Sequence, residues 1–266
     1  MDEPCPDPTG ILFLDGRPIE YALRGSGTAT TVFAHGLGDT MTQLAGLASQ
    51  VAGRQAFFNF GGHGRSQAAP GPLRYDTLVG ELLAVRAHTA GDRAVGLSMG
   101  AGAVLRLLVD HPGLLRRAVI LLPATLDRRG ADTPCLWFAD LAEHVEKGQV
   151  DKAAAMLIRV CPPMPQSAAG SWSTKRAAFL IEHGYANRLR EVGAMYPVRN
   201  TKDLARVTTP VMIMCHENDL AHSVDVGEQM AGLLPAAELH VLPDRSLLTS
   251  GREAAAQLPA DFLNDA

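Results

Sequence analysis

The chain is predicted to fold as an α/β protein, a mostly parallel sheet covered by helices on both faces, with a helical lid inserted before the last two strands. Three observations carry that expectation. Short apolar runs alternate with stretches whose apolar residues recur at helical spacing, which implies crossover connections and a sheet buried on both sides. One strand-to-helix passage contains Gly96-Leu97-Ser98-Met99-Gly100, a G-x-S-x-G pentapeptide. From about Ala124 to Asn200 the alternation stops and only helix-like runs appear.

The elements follow in order. After a proline-rich start, Ile11-Leu12-Phe13-Leu14 and Ile19-Glu20-Tyr21-Ala22-Leu23 flank Asp15-Gly16, a favoured hairpin dipeptide. Thr30 to Ala34 is a short buried strand running into His35-Gly36-Leu37-Gly38-Asp39, and Leu44, Leu47, Ala48 and Val51 behind it recur at helical spacing. A second apolar strand, Ala56 to Phe60, ends in Gly61-Gly62-His63-Gly64-Arg65-Ser66, and Tyr75, Leu78, Val79, Leu82 and Val85 mark one face of a helix. The helix behind Ser98 stops near Asp110-His111-Pro112, because proline cannot continue it. Arg117 to Leu122 is the next strand. The interrupting segment shows helix-like runs over Leu136–Glu146, Val150–Val160 and Lys175–Tyr185, broken by Cys161-Pro162-Pro163-Met164-Pro165. Alternation resumes with a strand over Pro210–Cys215, a helix near Val224–Leu234, a strand over Glu238–Leu242 and a last helix toward Phe262. Residues 1–123 and 201–266 are thus expected to form the core domain and 124–200 the lid.

Composition narrows the function. The 266 residues are 47% hydrophobic and 20% charged, ordinary for a globular chain with a sizeable core. A net charge of −4 without a long basic run argues against nucleic acid or an anionic membrane as partner. No basic-then-apolar leader opens the chain and no apolar run is long enough to span a bilayer. Cys5, Cys135, Cys161 and Cys215 are widely spaced and form no C-x-x-C pair. They read as free thiols in a reducing cytoplasm, without structural metal. The expected partner is a small-molecule substrate, and a homodimer is left open.

The pentapeptide carries the chemistry. A turn tight enough to push a serine above a sheet strains its backbone and brings neighbouring chain close, so side chains are absent at positions 96 and 100. Ser98 would then present its oxygen at a helix N-terminus whose amides face developing negative charge. The alternative is a chance G-x-S-x-G in a chain with 26 glycines.

With these residues in view, the chain resembles the α/β-hydrolase superfamily over nearly its whole length. Four markers stand in the expected order. His35-Gly36 follows the third strand, Gly62-His63-Gly64-Arg65-Ser66 the fourth, the Ser98 pentapeptide the fifth, and His216-Glu217-Asn218-Asp219 the strand that begins at Pro210. The lid is similar to that of the esterase, epoxide-hydrolase and C–C-hydrolase branch. The resemblance implies an eight-stranded α/β-hydrolase fold, Ser98 as nucleophile and Asp219 as triad acid. It also implies an oxyanion hole from the backbone N–H groups of Leu37 and Met99, with His35, Gly36 and His63 about the pocket.

Two departures stand out. The family places its catalytic histidine just beyond the last strand, where this chain reads Leu242-Pro243-Asp244-Arg245-Ser246-Leu247-Leu248-Thr249-Ser250-Gly251 and holds none. The fourth-strand loop has Asn59 and Gly61 where the family usually has Asp and Arg, so the ion pair that braces it is expected to be missing. A serine hydroxyl still needs a base within hydrogen-bond reach. His222, three residues past Asp219, is the first candidate; its alternative is a loop histidine on the surface or under the lid. His63 and His35 read as structural, His144 and His183 as solvated, and His216, at the strand end just before Asp219, as a candidate to face the pocket. Asp219 has its own alternatives, capping the following helix or meeting Arg245, and Asp127 is an alternate acid position. Gly61-Gly62-His63-Gly64 lacks the Lys-Ser/Thr of a phosphate loop, and no cofactor is expected.

Three functions remain open. The first is a hydrolase of a small, moderately apolar ester, thioester or related acyl substrate with a substitute base. The second is a non-hydrolytic cyclase, lyase or C–C bond enzyme on the same scaffold. The third is an inactive ligand-binding homologue.

Overall fold

The computed structural model describes residues 9–127, 134–160, 166–219, 221–243 and 252–265. Its frame is one eight-stranded sheet built from β1 (Thr9–Leu14), β2 (Arg17–Arg24), β3 (Thr30–Ala34), β4 (Arg54–Phe58), β5 (Arg93–Leu97), β6 (Arg117–Leu121), β7 (Val211–His216) and β8 (Ala237–Leu242). The spatial order is β1-β2-β4-β3-β5-β6-β7-β8. Only β2 runs against its neighbours; from β4 to β8 every pairing is parallel.

Residues of alternating parity fill two cores, as the two-residue period of a strand demands. Val32, Ala34, Ala56, Phe58, Ala118, Ile120, Val211 and Ile213 face one side, under α2 (Tyr75–Thr89), α3 (Met99–Asp110) and α8 (Val224–Leu233). Phe33, Phe57, Val95, Val119, Leu121, Met212 and Met214 face the other, under α1 (Ala45–Ala48) and α9 (Arg252–Asn264). Burial of each such side chain contributes about 1.5–3 kcal/mol, and Phe33 stacks on Phe57 with centroids 4.8 Å apart. Arg93 closes that second face: its guanidinium donates to Leu263 O at 2.8 Å and Ala52 O at 2.7 Å, capping carbonyls near the end of α9 and before β4.

The segment between β6 and β7 is helical where described: α4 (Pro134–Glu146), α5 (Val150–Leu157), α6 (Gln166–Glu182) and α7 (Ala186–Ala194). These helices enclose a third apolar cluster of their own, centred on Leu141, Val145, Leu157, Leu180 and Leu189. Three details differ from the sequence reading. The helix expected from Leu44 to Val51 shrinks to a 3₁₀ turn, Met41–Leu44, and the single turn of α1. Helix α6 begins nine residues before the expected Lys175, and α7 was not foreseen. The break at 161–165 and the loop at 244–251, including Arg245 and Ser246-Leu247, lie outside the described residues, as do Cys5 and Cys161.

Candidate active site

The order of the strands positions the site. The chain steps from β4 across β3 to β5, so the loops after β3 and β5 lie side by side at the carboxyl edge, with Ala34 paired to Gly96. Such a reversal of strand order leaves a crevice suited to ligands. At the end of β5, Ser98 has φ 52° and ψ −110°, a conformation costing about 1–3 kcal/mol for a residue with a side chain. The turn is held because Ser98 N donates to Leu121 O at 3.0 Å and Gly102 N donates to Ser98 O at 3.1 Å. Its flanks admit no side chain: a Cβ on Gly96 would lie 2.3 Å from Gly100 O, and one on Gly100 would lie 2.1 Å from Ala34 O.

Opposite Ser98 stands the loop after β7. His222 Nε2 lies 3.0 Å from Ser98 Oγ, and His222 Nδ1 lies 3.1 Å from Asp219 Oδ2. The carboxylate can only accept, so Nδ1 carries the proton and Nε2 is left to accept from the serine hydroxyl. The other oxygen, Asp219 Oδ1, accepts from Ala221 N at 2.8 Å and His222 N at 3.1 Å. Asp219 therefore both folds its loop and meets the imidazole. The Asp219 side chain is 6% exposed and that of His222 16%, so the carboxylate is sealed while the ring reaches the site's opening.

The loop after β3 is pinned group by group. Gly36 N donates to Gln43 Oε1 at 2.8 Å. His35 Nε2 accepts from Phe60 N at 3.0 Å, which leaves the proton on Nδ1 to be donated to Gly36 O at 2.7 Å. Gly38 N donates to His63 Nε2 at 3.0 Å. The Leu37 and Gly38 carbonyls accept from the Arg176 guanidinium at 3.0 and 2.5 Å. From Gly36 to Gly38, the Leu37 amide alone meets no protein acceptor among the described residues. The Met99 amide, first in α3, likewise has none there.

The His35 and His63 rings are buried behind this loop and are not among the residues lining the cleft, and a Cβ on Gly36 would lie 3.6 Å from Ser98 Cβ. Both rings are buried, and desolvation disfavours their charged forms: His35 is held well below the usual imidazole range and His63 is pushed down to about 4. Neutral rings are what the two amide-accepting nitrogens require.

The fourth-strand loop, where Asn59 and Gly61 cannot form the family's ion pair, is braced by other residues. Glu20, on β2, accepts from Asn59 Nδ2 at 2.7 Å, from Arg65 N at 2.9 Å and from Arg65 Nε at 2.7 Å. Asn59 Oδ1 in turn accepts from Met41 N at 2.7 Å. An aspartate at 59 would face Glu20 with like charge, whereas an amide donates to it. Glu81 adds a second tie, accepting from Gly61 N at 2.8 Å and from Arg17 Nη1 at 3.0 Å.

Ser98 opens into a small cleft lined by Leu37, Tyr75, Met99, Ala124, Thr125, Phe138, Val192 and Gly193. Among the described residues no charged side chain is on that wall, and Phe138, Val192 and Gly193 come from α4 and α7. His216 is fully buried at the end of β7, His183 is exposed, and His144 bonds Gln149 Oε1 at 2.8 Å; none of them joins Ser98. Among the described residues no group of three or more His, Cys, Asp or Glu could hold a metal ion, and no helix is long and apolar enough to cross a membrane. Sequence reasoning missed Gln43, Glu20 and Arg176. A glutamate inside the otherwise apolar β2 run was the one visible signal; the other two act across more than a local span.

The family model described as the alpha/beta hydrolase family matches residues 31–256. The chain belongs to the alpha/beta hydrolase family. No curated protein matches its sequence. Among solved structures it is similar to an esterase from Exiguobacterium antarcticum, at 17% identity, TM-score 0.75, covering 96% of this chain and 98% of that one. It is also similar to the enol-lactonase from Burkholderia xenovorans LB400, at 19% identity, TM-score 0.78, covering 96% and 100%. A third is a meta-cleavage product hydrolase from Pseudomonas fluorescens IP01, at 14% identity, TM-score 0.77, covering 96% and 97%. At such identities these alpha/beta hydrolases share the fold.

Proposed function

We propose that the protein is a serine hydrolase of a small, moderately apolar, uncharged ester, thioester or related acyl substrate. Ser98 is the nucleophile, His222 the base that takes its proton, and Asp219 the carboxylate that fixes the imidazole tautomer and stabilises the imidazolium. The Leu37 and Met99 amides receive the oxyanion, each such donor being worth about 2.7–4 kcal/mol of barrier. Helices α4 to α7, within residues 124–200, are the lid, and His222 then returns the proton to the leaving group. The observation that carries this reading is the 3.0 Å approach of His222 Nε2 to Ser98 Oγ, with the opposite ring nitrogen on a carboxylate. It favours hydrolysis over a cyclase or lyase working from the oxyanion donors alone, because it gives the serine its proton acceptor. The uncharged cleft wall supports a neutral acyl group, and the names of the similar proteins, esterase, enol-lactonase and meta-cleavage product hydrolase, support acyl chemistry in general.

A fluorophosphonate probe tests it. Ser98 should be labelled in the wild-type protein and not in Ser98→Ala, and labelling should fall at least about a hundredfold in His222→Ala. A folded protein that leaves Ser98 unlabelled, or a His222→Ala variant labelled at the wild-type rate, would overturn the assignment.

A further inference from the structure

Arg176 lies on lid helix α6, outside the triad, yet its guanidinium reaches into the loop that carries the Leu37 amide. Nη2 donates to Leu37 O at 3.0 Å and Nη1 to Gly38 O at 2.5 Å. The side chain is half-buried, with its guanidinium carbon 5.6 Å from the Phe179 ring centroid. A planar fork with two parallel donors can hold two consecutive carbonyls at once; a lysine ammonium cannot match that spacing rigidly.

The other ties on this loop come from the core: His35, His63 and Gln43. Among the described residues Arg176 is the lid side chain hydrogen-bonded to this loop, with Leu180 and Tyr185 packed beside it at Gly38. Peptide 37–38 is gripped at both ends, its N–H by His63 and its C=O by Arg176. The Leu37 amide belongs to the neighbouring peptide 36–37, whose carbonyl His35 holds, so releasing the Arg176 end loosens the plane on the far side of Leu37 Cα and leaves the amide's direction held from the His35 side alone. Asp39, buried beside this cation, has its carboxyl pushed up by desolvation and drawn back by Arg176.

We propose that Arg176 is a positioning residue through which the seated lid sets the direction of the oxyanion amide, so that the hole is complete only while α6 is docked. This rests on the serine-hydrolase reading for its effect on turnover, but its structural half does not. Arg176 touches no reacting atom, so its loss should appear in the barrier rather than in ground-state binding.

The test compares wild type, Arg176→Ala and Arg176→Lys on a short-chain p-nitrophenyl ester, with amide hydrogen exchange of the peptide spanning residues 36–40. Arg176→Ala should lower kcat about 10–100-fold with KM changed less than about threefold, as expected for a misdirected group. Added guanidinium ion, at a non-denaturing concentration, should restore part of kcat in Arg176→Ala and none in wild type. Arg176→Lys should fall between the two, and the 36–40 amides should exchange faster in both variants. Retained kcat in Arg176→Ala beside a Ser98-dependent wild type, or unchanged exchange at 36–40, would overturn the inference. If Arg176→Ala does not fold, Arg176→Lys carries the same comparison. Wild type no more active than Ser98→Ala would sink the hydrolase reading, and the exchange measurement would still decide for or against the strap.

Discussion

Asp219→Asn separates the two jobs that one carboxylate performs. Oδ1 accepts from the Ala221 and His222 amides at 2.8 and 3.1 Å, and an asparagine carbonyl can take over both contacts. Turning the amide over would put its NH₂ against two N–H donors, so the backbone fixes its orientation. The NH₂ must then face His222 Nδ1, 3.1 Å away in the wild type, and that nitrogen becomes the acceptor. The ring proton moves to Nε2, which can no longer accept from Ser98 Oγ. Fold and loop remain while the base is lost. The same exchange in a serine-protease triad costs about 10⁴ in kcat, or about 5.4 kcal/mol of barrier at 1.36 kcal/mol per decade. The assay is kcat on a p-nitrophenyl ester at saturation, beside urea unfolding, where the change should stay within about 1 kcal/mol. A kcat within tenfold of wild type would refute the reasoning: the carboxylate would then be a loop cap and nothing more.

Other substitutions probe the scaffold. Gly100→Ala places a Cβ 2.1 Å from Ala34 O in the sheet and should cost about 3 kcal/mol, lowering Tm by about 5 °C in a thermal melt, whereas Gly80→Ala, with nothing within 4 Å inside α2, should raise stability by about 0.5–1 kcal/mol. Asn59→Asp sets a carboxylate against Glu20 Oε2, where 2.7 Å now separates it from an amide donor. That variant should lose about 1–3 kcal/mol at pH 7 in urea titrations, and less near pH 4, where one carboxyl can hold a proton. His63 is neutral in the fold down to about pH 4, but protonates near 6.5 once unfolded. The unfolded chain thus binds more protons between those values, and stability should be full above about pH 6.5 and fall as pH drops toward 4. The shift is worth about 3 kcal/mol, and the pH slope of the urea midpoint should flatten in His63→Gln.

Much of this was legible because the local sequence and the long-range packing ask for the same residues. The alternating cores need apolar side chains at every second strand position, and the centres of β3, β5 and β7 supply them at Val32-Phe33-Ala34, Ala94-Val95 and Val211 to Met214. The glycines at 96 and 100 advertise the elbow because their cause, sheet backbone within 2.3 Å of an added Cβ, leaves no other residue type. What escaped depends on partners far along the chain. His222 was a candidate by proximity to Asp219, but its approach to Ser98 is created by β5, β6 and β7 lying in succession, which aims two loops at one point. Asn59 read as a lost brace because its partner, Glu20, is 39 residues away on another strand. Helix α7 carries few apolar residues, and partners far along the chain hold it: α4 packs on it and Leu73 N donates to its Glu191.

That Asp219 and His222 share one loop has a mechanical consequence. Within that loop the Ala221 and His222 amides hold the Asp219 carboxylate against the ring it meets. Strand β8, whose Val241 is 38% exposed, is the outermost strand on that side, and thermal wear should begin there. The pair we assign to proton transfer stands in the loop after β7, one strand further in and wholly buried, so fraying of the margin should reach it late.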